Sequence, residues 1–117
     1  MAKEQFNKQH FKDYPVYNMI GEGVVVICCQ RFDLITGLMT GPIYPIYIFH
    51  AMNMMKRLHT ERRWYNRFCR FNVEYSTFIY FQNTSKFKAL AKTLIAHYKP
   101  EFNFKNRHKY TLIQNED

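Results

Sequence analysis

The sequence predicts a small α+β sandwich, in which a short sheet carries a long and a medium helix packed on one of its faces. Three observations lead there. Val24, Val25, Val26, Ile27, Cys28 and Cys29 form an unbroken run rich in β-branched residues, which favours a buried strand over a helix. Residues Val73 to Phe81 alternate between two faces, as a strand requires. Phe87, Leu90, Ala91, Leu94, Ile95 and Tyr98 fall at i, i+3, i+4, i+7, i+8 and i+11, one continuous apolar helical face. Helices laid against a sheet are the simplest layered solution for these elements.

Size and composition allow such a fold. The chain has 117 residues, 47% of them hydrophobic and 18% aromatic, which is one domain's length with enough apolar surface for a core. No repeat or linker divides residues 1–117, so a single domain is expected.

Residues 1–22 are polar with Phe6, Phe11, Tyr14 and Tyr17 interspersed and Pro15 interrupting them. They read as an arm or a short helix followed by an irregular lead-in. Gly21 and Gly23 then bracket Glu22 ahead of the first strand. Phe32 to Leu38 leaves a second strand or a helical turn open, and Thr40, Gly41 and Pro42 make a break. Pro45 suits a helix start. From there to about Arg70, the spacing of Tyr47, Ala51, Met54, Met55, Leu58, Tyr65, Phe68 and Cys69 predicts one long helix, its stripe weakest near His59 and Thr60.

The strand over Val73 to Phe81 sets Val73, Tyr75, Thr77, Ile79 and Phe81 on one side and Phe78 and Tyr80 on the other. That second pair could form a stacking platform for bases; burial under a helix explains it better. Asn83, Thr84 and Ser85 offer a turn and an N-cap, and Pro100 stops the helix that follows. Residues 101–117 read as a basic tail or a terminal strand, with a β-like run from Tyr110 to Gln114.

Charge is the most informative feature. The net charge is +8, and all of the excess lies after residue 55. Residues 56–109 carry thirteen Lys/Arg against Glu61, Glu74 and Glu101, whereas residues 1–55 balance four against four. On the long helix Lys56, Thr60, Arg63, Arg67 and Arg70 lie at offsets 0, 4, 7, 11 and 14, one face that Asn53 extends by nearly a turn. Lys88, Lys92 and Lys99 share a side of the second helix, and Lys105, Arg107 and Lys109 cluster in the tail. A basic outer face is commonly just the solvated side of an amphipathic helix. Here, however, the acids that would supply i, i+4 partners are nearly absent, and concentrated positive charge attracts polyanions.

Other chemistries find little support. Three cysteines, two of them adjacent, make a poor disulfide framework, and with no signal peptide in view the thiols read as reduced and cytoplasmic. The apolar stretch from Val24 to Met55 is too interrupted to span a membrane. His50 and His59 would fall on opposite sides of a continuous helix, and no C-x-x-C occurs, so no metal is expected. Cys69 beside Arg70 sits in the apolar stripe and reads as an inert thiol. No phosphate-binding glycine loop or nucleophile elbow occurs, and no cofactor is implied.

The expectation is a non-catalytic protein that binds nucleic acid, or a nucleic-acid-processing complex, through Lys56, Arg63, Arg67 and Arg70. Lys88, Lys92, Lys99 and the tail add longer-range attraction. Two alternatives stay open. Asn, Lys, Tyr, Phe and Ile are abundant while Gly is scarce, a composition written by AT-rich genomes such as those of many bacteriophages. That suits an accessory protein inhibiting a host protein by occupying an acidic or nucleic-acid-binding groove. A small metal-independent ribonuclease needs only a His and a cation, which His59, Arg62 and Arg63, or His97 and His108 in their basic surroundings, could supply.

Overall fold

Strand β2 (Gly23–Phe32) runs through the middle of the protein, and the other elements are arranged around its two apolar faces. A computed structural model describes residues 4–15 and 19–106. Beside β2 it shows β1 (Lys12–Tyr14), β3 (Met39–Ala51) and β4 (Tyr75–Asn83), with helices α1 (Met54–Phe71), α2 (Phe87–Tyr98) and α3 (Glu101–Phe104). The strands form one antiparallel sheet in the order β1-β4-β2-β3. The α+β class is as the sequence predicts.

The helices do not share a face of the sheet. Val25, Ile27 and Cys29 pack with Leu58, Trp64, Tyr65 and Phe68 of α1, whereas Val24, Val26 and Cys28 pack with Phe87, Ala91 and the partly buried Leu90, Leu94, Ile95 and Tyr98 of α2. All six residues from Val24 to Cys29 are at most 1% exposed. A strand apolar on both sides needs a cover on each, which one layer of helices cannot provide.

The long helix is also shorter than its periodicity implies. Residues 45–51 belong to β3, and α1 begins only at Met54. Ile43, Tyr44, Ile46, Tyr47, Ile48 and Phe49 are β-branched or aromatic and fit a pleated surface. Pro45 is tolerated because β3 is an edge strand and the residue sits at a register shift, where no ladder N–H is needed. Thr40, Gly41 and Pro42 do not end the strand. Gly41 takes φ +77° at a second register shift, and Gln30 Nε2 donates to its carbonyl at 2.6 Å, so these residues bend β3 as a bulge does. Between β2 and β3 the chain turns around Asp33, whose carboxylate accepts from the Ile35 and Thr36 N–H groups and is held below the usual carboxylate range by those bonds.

Asn53 caps α1: its Oδ1 accepts the Lys56 N–H at 3.1 Å. Gly23 is needed where α1 begins, since a Cβ there would lie 2.2 Å from the Gln82 carbonyl and 2.7 Å from Met54 Sδ. At the far end of the chain α2 stops at Lys99, which adopts φ 48°, before Pro100 opens α3. Phe102 of α3 is buried edge-on against Trp64 and Phe68, with centroids 5.0 and 5.7 Å away. Burying such a ring contributes about 2–3 kcal/mol, enough to hold a one-turn helix. Asn103 meanwhile donates to the Ile48 carbonyl at 2.7 Å and accepts its N–H at 2.8 Å, so one side-chain amide occupies the β3 edge.

Residues 4–15, for which the sequence leaves an arm or short helix open, carry β1 and dock on the α2 side. Phe6 is buried among Phe11, Tyr80 and Tyr98, and Asn7 N–H donates to Tyr98 Oη at 3.1 Å. No described helix is long and apolar enough to cross a membrane.

Candidate nucleic-acid interface

Two cationic surfaces emerge, and the sheet lies between them. The first is the outer face of α1. The apolar side of this helix is fixed by Met54, Leu58, Trp64, Tyr65 and Phe68 in the core. Lys56, Arg63, Arg67 and Arg70 therefore point outward, and all four are exposed, together with His59, Thr60, Arg62 and Asn66. Among the described residues none of Lys56, Arg62, Arg63, Arg67 and Arg70 is in a salt bridge.

Glu61, the only acid on α1, is turned inward and is 4% exposed. It accepts Arg57 Nε at 3.2 Å, while Arg57 also reaches Tyr47 Oη at 3.1 Å and lies over the Phe49 ring. The one carboxylate of α1 is thus paired with a cation at the margin of the core and adds no negative charge to the outer face.

The second surface is a groove of about 680 Å³ between α2, β3 and α3. Lys88, Lys92 and Lys99 line it from α2 with Ala91, Ile95 and Ala96 between them, and His50 of β3 and Phe104 of α3 complete it. The periodicity of α2 places 88, 92, 95 and 99 along one side, and that side meets the β3 edge because Phe87, Leu90 and Leu94 are committed to the sheet. The imidazole of His50 stands 5.5 Å from the Phe87 ring, and the Phe104 side chain is 66% exposed.

The candidate cations found in the sequence are thus divided. Lys56, Arg63, Arg67 and Arg70 form one group on the α1 side, and Lys88, Lys92 and Lys99 form another on the α2 side. Lys105 joins neither, since it pairs with Glu101 and covers the Phe102 ring. Arg107 and Lys109, with His108 and the run from Tyr110 to Gln114, lie outside the described residues.

No family model matches this chain, and no curated protein or solved structure is detectably similar to it.

His50 on β3 packs against Phe87 on the α2 side of the sheet, whereas His59 is carried by α1 on the other side, and no group of three or more potential metal ligands occurs among the described residues. His97 pairs with Glu4 at 2.7 Å. Cys28 is fully buried, and desolvation, followed by the neighbouring Cys29, pushes its thiol well above the ordinary value, the reverse of what a nucleophile needs. Phe78 and Tyr80 do not form an open platform: Tyr80 is buried and Phe78 packs against the same cluster. His50 and Phe104 are the site residues that periodicity could not find. The first is hidden in a segment whose spacing imitates a helix. The second lies beyond Pro100, where no amphipathic pattern marks it.

Proposed function

We propose that the protein binds nucleic acid without catalysis through the outer face of α1, chiefly by phosphate contacts from Lys56, Arg63, Arg67 and Arg70. The observation that carries this reading is the cationic face itself, exposed and without a carboxylate partner among the described residues. Arg63 and Arg67 repel each other at i, i+4, and Arg67 and Arg70 at i, i+3, each pair costing the helix about 0.2–0.5 kcal/mol. A polyanion converts that repulsion into attraction and releases its own counterions. Arginine forks suit phosphate oxygens, and contacts of this kind position a partner without reading sequence.

The test is fluorescence anisotropy of labelled DNA and RNA, single- and double-stranded, over a salt series, followed by a gel of the same samples. Wild type should lose affinity steeply as salt rises and leave the probe intact. Arg63→Ala, Arg67→Ala and Arg70→Ala combined should stay folded and bind duplex about tenfold more weakly or worse, with the log–log salt slope smaller by about 2–3. Wild-type-like binding by that triple variant would rule the α1 face out. A cleaved probe would favour the ribonuclease alternative. Absence of binding at low salt would direct the cationic face to an acidic protein surface.

A further inference from the structure

We infer that the groove between α2, β3 and α3 is a second nucleic-acid site, specific for single strands. It rests on the reading that this chain's cationic surfaces meet nucleic acid, and it adds a preference for single strands on a face other than α1.

The two surfaces differ in kind. The α1 face is an outward helix surface whose charge comes mainly from arginine, suited to the phosphates of any polynucleotide. The α2 groove has lysines at its rim and apolar atoms on its floor, from Ala91, Ile95, Ala96 and Phe104. Phosphate alone gains nothing from such a floor. A base does, because its flat face is apolar and stacks on an aromatic ring for about 1–3 kcal/mol. In a duplex those faces are covered by neighbouring bases and only the edges are open. A single strand can lower its bases to the floor while its phosphates stay at the rim.

The spacing fits this division. At 1.5 Å rise per residue, Lys88 and Lys92 stand about 6 Å apart along α2, and Lys99 about 10 Å further on. That gives a row of charges for a backbone to follow. Phe104 and the imidazole of His50 are the planar groups within the same groove. Phe104 leaves two thirds of its side chain exposed although its neighbour Phe102 is buried at 2%. The helical turn that anchors one ring in the core presents the other to the groove. The volume, about 680 Å³, is in the range of small-ligand sites and holds a few nucleotides at most.

The experiment compares oligo-thymidylate and oligo-uridylate with a hairpin duplex, using wild type, Phe104→Ala, Lys88→Ala/Lys92→Ala, and the triple arginine variant. Phe104→Ala changes no charge and removes an exposed ring, so its fold should survive, which circular dichroism checks. It is expected to weaken single-strand binding about tenfold and leave duplex binding alone. Lys88→Ala/Lys92→Ala should lower the single-strand salt slope by about 1. Ultraviolet crosslinking of oligo-thymidylate should mark the peptide that contains Phe104.

If both groove variants bind single strands as wild type does, the groove assignment is overturned while the α1 reading stands. If the triple arginine variant keeps its duplex affinity but the groove variants lose single strands, the α1 reading fails and the groove assignment survives. If neither oligonucleotide binds and an acidic amphipathic peptide instead shifts the amide resonances of Ala91 and Ala96, the groove is a protein-docking site and the assignment is wrong.

Discussion

Tyr80 lies 3% exposed beneath Phe6, and burial, with Asp13 and Cys28 adding to it, pushes its hydroxyl pKa up to about 12. The folded state therefore prefers the neutral phenol. Its contribution to stability is complete below the ordinary tyrosine value near 10 and is lost as pH rises through about 12. Absorbance titration of the nine tyrosines is expected to show one ionising last, together with alkaline unfolding. Tyr80→Phe should remove that last step and flatten the loss of stability. Ionisation of every tyrosine near pH 10 while the fold persists would contradict this account. At this same scale the sequence is legible where a residue answers to its immediate neighbours. Pro100 follows the end of α2, and Phe78 and Tyr80, which alternation sets on one face, are covered as the burial tendency of such rings favours. Asn53 is read as an extension of the basic face and turns out to be the N-cap of α1, because the apolar spacing that runs on from Tyr47 hides the break that an Asn before a helix announces.

Among the elements, α2 and β4 are readable because their patterns are clean: a full apolar stripe in one, strict alternation in the other. β3 is not, because a short apolar run with a proline in it satisfies both periods, and only its partners decide. Pairing with β2 along one edge and closure by Asn103 on the other settle the matter in three dimensions. Asn103 stands 55 residues away from Ile48, so no local pattern foretells the contact. Asn103→Ala should leave Ile48 with neither amide partner. The expected result is faster hydrogen exchange at the Ile48 amide and a stability loss of about 1–2 kcal/mol, with little change at β1. Unchanged protection at Ile48 would show that α3 contributes packing alone. The groove belongs to this scale as well. Its lysines are legible as one side of α2, but the trough needs His50 and Phe104, which come from two elements the sequence does not reveal.

For the whole molecule, the class of fold follows from composition and order of patterns, whereas the placement of helices on opposite faces follows from a single strand. Six consecutive buried residues in β2 demand cover on both sides, a signal present in the sequence but outweighed there by the economy of a two-layer arrangement. The result is a three-layer body, each layer about 10 Å thick. The outer charges of α1 and α2 are thus separated by more than the Debye length of about 8 Å at physiological ionic strength, and occupation of one side leaves the potential on the other nearly untouched. If both sides hold nucleic acid as proposed, such a body would act, in the language of polymer solutions, as a divalent crosslinker. With both sides competent, long poly-uridylate should turn cloudy as protein approaches charge balance and clear again in excess protein, when each chain end of the network is capped by its own copy. The triple arginine variant, reduced to one valence, should give a clear solution throughout, and a wild type that never clouds would mean the two sides are not used together. A strand that is greasy on both faces would then set, through nothing more than where it forces two helices to sit, the number of polymers one small protein can hold.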